Sequence, residues 1–177
     1  MANQTLKFRN SRMLIFILFL SLIFLCCSTA YAQEANKSTI KVSMAGLKTD
    51  DGDVKIAVFN NEEGWLKKPV YQSTAKILDK KCECTLENIP YGDYAIFVYQ
   101  DKNSNDEFDK INQTIPTEPF GYSKVKQMIM GPARWSDAQI SISSPKMELE
   151  VLLLEIPSFF LESMKDQQPK TQNGNGR

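Results

Sequence analysis

Between residues 101 and 109 an oxygen-bearing side chain falls at every second position: Asp101, Asn103, Asn105, Glu107 and Asp109. Calcium takes six to eight hard oxygen ligands, and alternate residues of a loop, at positions 1, 3, 5, 7 and 9, supply them most simply. Asp101, Asn103, Asn105 and Asp109 fit positions 1, 3, 5 and 9, with the Glu107 carbonyl at 7. Two features of such loops are missing. Asp106 replaces the turn glycine, and Asn112 stands at the twelfth position, where a bidentate Glu is usual. Glu118 supplies the missing carboxylate if the chain folds back. Two Asn ligands keep the formal charge low, so the expected dissociation constant is about 10⁻⁴–10⁻³ M, as in extracellular modules. The competing reading is an Asx-rich turn whose side chains satisfy their own backbone. The missing glycine and acid weigh on its side.

The next stretch, "TIPTEPFGYS" (114–123), sets Phe120 and Tyr122 near Glu118, with Pro116 before them and Trp135 downstream. A Pro/Gly-ordered loop with aromatics and one acid suits contact with a peptide, a glycan or a small ligand. The same rings also suit a satellite core packed under the loop. A carboxylate pair, Glu118 with Asp109 or Asp137, raises the alternative of a periplasmic hydrolase. Histidine is absent from all 177 residues, which excludes Ser-His-Asp hydrolysis, Cys-His nucleophiles and the usual His-bearing zinc sites. In "CEC", Cys82 and Cys84 share one face of a strand, with Cα atoms about 2 × 3.3 Å apart, at the limit of disulfide geometry. Both are expected to fill core positions as free thiols.

The chain opens with Lys7, Arg9 and Arg12, then the apolar run "LIFILFLSLIFLCC", then "STAYA". That order predicts a secretory signal peptide over 1–32, cut after Ala32. The run is shorter than the roughly 20 residues of a spanning helix, so no transmembrane span is expected after cleavage. Removing three bases and no acids leaves 18 basic against 21 acidic residues, which argues against nucleic acid as a partner. The expected location is the periplasm or the exterior.

The elements that must hold these residues read as strands. "STIKVSMAGL" (38–47) and "VKIAVFN" (54–60) alternate, "VYQSTAKIL" (70–78) does so moderately, and "CECTLENI" (82–89) puts Cys82, Cys84 and Leu86 on one face. "YAIFVYQ" (94–100) is apolar on both faces, as a central strand is. Residues 101–136 show no period and read as one long irregular loop. "AQISIS" (138–143) and "KMELEVLLLE" (146–155) close the pattern, and 157–177 read as a disordered tail. Seven short strands and no convincing helix predict a single antiparallel β-sandwich domain over 37–156.

"NIPYGDY" resembles the Pro-x-Gly-x-Tyr hairpin of prealbumin-like extracellular sandwiches. More specifically, Gly92, Tyr94 and Ala95, then Asp101, Asn103, Asn105 and Asp109, then Pro116, Glu118, Phe120, Gly121, Tyr122 and Ser123, then Trp135 and Ala138, are similar to a family of secreted bacterial proteins, domain of unknown function twenty-one forty-one. The resemblance covers roughly 38–155. Two positions depart from the family's pattern: Asp106 and Thr114 stand where it has glycine. The resemblance implies an exported β-sandwich with no established activity. The expectation is an exported, non-enzymatic binding or structural domain, calcium-stabilised through 101–112. An accessory domain docking onto an envelope protein complex is the other rival.

Overall fold

The computed structural model describes residues 36–127 and 131–166; the expected signal peptide and residues 167–177 lie outside them. Residues from Ser38 onward belong to one compact unit. Its strands are β1 (Lys37–Ala45), β2 (Asp53–Phe59), β3 (Tyr71–Lys76), β4 (Cys82–Pro90), β5 (Gly92–Asp101), β6 (Lys110–Ile111), β7 (Ile115–Pro116), β8 (Phe120–Tyr122), β9 (Ile140–Ile142) and β10 (Lys146–Leu152). Two short helices follow the same numbering, α1 (Trp135–Ala138) and α2 (Ser158–Asp166).

The strands form a β-sandwich. One sheet runs β10-β1-β4, the other β3-β2-β5-β8 with β9 joined to the start of β5, and β6-β7 is a separate ribbon. The larger sheet is antiparallel throughout, with Ala57 facing Gln72 on one side and Phe97 on the other. The expected antiparallel pattern is broken where β1 and β10 run parallel, from Thr39 opposite Lys146 to Ala45 opposite Leu152.

Period-two alternation explains the core. Ile40, Val42 and Met44 of β1 point inward, as do Val54, Ile56 and Val58 of β2, Cys82, Cys84 and Leu86 of β4, and Ile96 and Val98 of β5. Branched side chains suit this surface because their restricted χ1 angles pack well on a pleat. Cys82 and Cys84 are free and buried, and the Cys84 Sγ lies 3.3 Å from Ser73 Oγ. Burial, then the neighbouring charges of Cys84, Asp53 and Glu83, push the Cys82 thiol up to about 11.

All seven expected strands form. The reading of 101–136 as one irregular loop needs correction, because β6, β7, β8 and α1 lie within it. These pieces are two to four residues long, too short to show a period. Strand β8 is moreover buried on both faces, so it has no polar alternation to read. The expected strand 138–143 is cut back to Ile140–Ile142 by α1. The tail is corrected too: Ser158–Asp166 is helical where disorder was expected from 157.

Candidate functional site

Asp101 ends β5 and its side chain is fully buried. Its carboxylate accepts the N–H groups of Asn105 at 3.1 Å and Asp106 at 3.0 Å, and Lys55 Nζ lies 3.5 Å away. The β1–β2 turn presses on the same point. A Cβ on Gly52, at φ +68°, would sit 1.7 Å from the Asp101 carbonyl oxygen, so only glycine fits. Lys55 also pairs with Asp106, and that hydrogen bond, ahead of the other charges, raises the lysine's pKa. Asp106 adopts φ +62°, the left-handed region that favours glycine and that Asp tolerates better than most residues. Asp106 thus makes the left-handed turn without a glycine.

The rest of the loop is held by its own polar groups. Asn103 Nδ2 donates to Asp109 Oδ2 at 2.8 Å, Asn105 Nδ2 to Asp109 Oδ1 at 3.2 Å, and the Glu107 N–H to Asn105 Oδ1 at 2.9 Å. Glu118 does fold back. Buried to 4 % exposure, it accepts the Lys102 N–H at 2.9 Å on Oε1 and the Asp109 N–H at 3.2 Å on Oε2. Burial raises the Glu118 pKa, against the lowering effect of those two hydrogen bonds. Three acidic, His or Cys side chains do not converge as a ready metal cluster anywhere among the described residues. Asp101, Asn103, Asn105, Asp109 and Glu118 thus share one loop, but Asp101 and Glu118 serve its backbone, while Asn103, Asn105 and Asp109 meet one another at the surface. The Glu107 side chain is exposed.

The proposed hydrolytic pairs are not assembled as an acid and base facing a cleft. Both Glu118 oxygens are engaged by loop backbone, and Asp137 pairs instead with exposed Arg134, which lowers its pKa.

Beside the loop, the outer face of the larger sheet carries a second cluster. Cross-strand register lines up Gln72, Ala57, Phe97 and Tyr122 in one row over four strands, and Tyr99 and Phe120 are paired in the next. Phe108 reaches back from the loop, its ring 5.1 Å from those of Phe97 and Tyr99 and 5.7 Å from that of Phe120. Trp65 packs on Phe59 at 5.0 Å and on Trp135 at 6.0 Å, and its indole N–H donates to the Ala133 carbonyl at 2.7 Å. Phe120 and Tyr122 are buried members of this cluster, as a satellite core requires.

The cluster does not close. A groove of about 850 Å³ remains over it, floored by Ala57, Phe97 and Tyr122 and walled by Phe108, Pro116 and, from α2, Phe160. Of the four aromatic or proline residues expected on a contact surface, Pro116, Phe120 and Tyr122 line the groove, whereas Trp135 packs behind it. Sequence reasoning missed Ala57, Phe97, Tyr99 and Lys110. The two-sided apolarity of β5 was the available signal for two of them. No helix among the described residues is long and apolar enough to cross a membrane.

Residues 42–150 match a family described as an uncharacterized protein conserved in bacteria, DUF2141. The chain belongs to this family. The match spans both sheets, the Asx loop and the strands that floor the groove. No curated protein matches the chain. Among solved structures, a fimbrial assembly protein from Parabacteroides distasonis ATCC 8503 is similar at 12% identity over 67% of this chain and 53% of that one, with a TM-score of 0.39. A pilus-presented adhesin (Cpa) is similar at 15% identity over 68% of this chain and 28% of its own, with a TM-score of 0.22. This chain thus spans about half the length of the first and just over a quarter of the second. Overlaps this partial carry no argument about activity or partners.

Proposed function

We propose that this DUF2141 member is an exported, non-enzymatic binding domain whose ligand lies in the aromatic groove on the outer face of the larger sheet. The observation that carries the reading is the open groove of about 850 Å³ lined by Ala57, Phe97, Phe108 and Tyr122. Interiors normally close such space, and pockets of about 300–1,000 Å³ lined by apolar rings are the usual form of a small-ligand site. The Asx loop supplies the groove's outer wall through Phe108, and its internal hydrogen bonds hold that wall in place.

Calcium reinforces the loop in this reading, with Asp101, Asn103, Asn105, Glu107, Asp109 and Glu118 as the candidate set. The Asn103 and Asn105 amides already point at the Asp109 carboxylate. A half-turn of each amide presents its oxygen there instead, at the cost of the hydrogen bonds that those oxygens now accept from the Asn105 and Glu107 N–H groups, and a cation then replaces the two N–H groups as the positive bridge. Asp101 is matched already by Lys55, which keeps the expected affinity modest.

The test of the binding reading uses Nile red, a neutral apolar probe. It should bind the purified protein saturably at one site, and Ala57→Phe, which fills the groove floor, should abolish that binding while the circular dichroism spectrum is unchanged. Equal dye binding by the variant overturns the reading.

A further inference from the structure

The groove is nearly without charge. Among its lining residues Lys110 alone is charged, and no carboxylate among the described residues pairs with it. Its ammonium instead stands 5.0 Å over the Phe108 ring, at the end of the groove formed by the Asx loop. The floor is long. Gln72, Ala57, Phe97 and Tyr122 lie on four adjacent strands, so the row spans about 14 Å at about 4.8 Å per strand step. Ala57 is the low point of that row, flanked by the larger Gln72 and Phe97.

We propose that the groove binds an anionic amphiphile, an unbranched acyl chain ending in a carboxylate, with the chain across the strands and the head at Lys110. This rests on the binding reading above and adds the ligand's class. An extended peptide fits less well, because its backbone N–H and C=O groups need partners and the walls offer few polar atoms. An acyl chain brings none. Its single charge meets the single charge of the groove, the exposed Lys110 ammonium beside the Phe108 ring. Phe160 at the rim is 44% exposed, and Phe159 beside it 73%, an apolar surface that a bound chain would cover.

The experiment compares dodecanoate with dodecanol, both below their aggregation limits, by calorimetry and by the fluorescence of Trp65 and Trp135. Dodecanoate should bind up to about fivefold more tightly, the worth of one exposed charge pair. Lys110→Met should remove that advantage and leave dodecanol binding unchanged. Ala57→Phe should abolish both. Equal affinity of the two ligands for the native protein, or a Lys110→Met variant that keeps the preference, overturns the ligand class and leaves the binding reading standing. Failure of Nile red and both amphiphiles to bind overturns the two together. A dimer seen by light scattering and dispersed by Ala57→Phe also overturns the proposal, since the groove is then filled by a second copy.

Discussion

The two faces of the larger sheet are both apolar, yet they are built from different residues and end in different states. Toward the smaller sheet stand Val54, Ile56, Val58, Ile96 and Val98, all at 0–1% exposure. On the outer face stand Ala57, Phe97, Tyr99, Phe120 and Tyr122, covered by loops and a short helix rather than by a sheet. A second pleated layer offers branched side chains at a matching period, so aliphatic faces interdigitate and close. Irregular segments have no period to match, and rings meet edge to face at centroid distances near 5–6 Å, as Phe97 and Phe108 do at 5.1 Å. Space remains where a small residue, Ala57, sits among them. The sealed face carries the stability, and the open face holds the groove in which we propose that a ligand binds.

The neighbours Ile56 and Ala57 give the strongest test of this contrast. Ile56→Ala empties a site at 1% exposure and should cost about 2–5 kcal/mol in urea unfolding. Ala57→Phe, one residue away on the other face, should leave the unfolding midpoint nearly unchanged, because it enters open space. A large loss from the second change would show that the outer face is packed as tightly as the inner one.

Gly121→Ala comes next. A Cβ there would lie 2.3 Å from the Leu152 carbonyl oxygen, so β8 must move away from the end of β10, at a cost of about 1–3 kcal/mol. If dye binding survives that displacement intact, β8 does not position the groove. Asp101→Ala leaves the Asp106 N–H without its acceptor and the Asn105 N–H with Asn103 Oδ1 at 3.2 Å, and should cost about 1–3 kcal/mol. If calcium binds the loop as proposed, millimolar calcium should raise the melting temperature of the native protein, and the same change should abolish that rise. Persistence of the rise would place the ion elsewhere.

Glu118 provides a smaller, pH-dependent effect. Its pKa is raised on folding by burial, so between the ordinary Glu value and the folded value the native state holds more proton than the unfolded chain. Stability from this group is therefore greatest below that window and falls as pH rises through it. Urea midpoints measured against Glu118→Gln should show the native protein losing ground as pH increases across the window. A gain instead would mean that the two backbone hydrogen bonds outweigh burial. The smallest effect belongs to Asp137→Asn: its partner Arg134 is exposed, and no shift in melting temperature should be measurable.

How much of this could be read in advance varies along the chain. Strands β1, β2 and β4 announce themselves, because one face is buried and the other wet, and their residues alternate accordingly. Strand β8 is silent, three residues buried on all sides. The Asx loop was visible as a motif, but its alternatives were not separable, since Asp and Asn can turn the same oxygens to a cation or to their own backbone. The departure at Asp106 looked damaging from the sequence. Its φ of +62° shows a left-handed turn made by a residue that tolerates it.

Alternation and composition alone determined the strands, the sandwich class, the absence of imidazole chemistry and the spacing of the Asx loop, because each is local along the chain. Tertiary structure decided which rings share a face, that Lys110 stands at the end of their groove, and that Glu118 ties the loop shut rather than facing a cleft. Those facts depend on cross-strand register and on the turn between β6 and β7, on the path that brings Phe120 back beside β5. Residues far apart in sequence become neighbours only when register is set, and register is a property of the whole sheet.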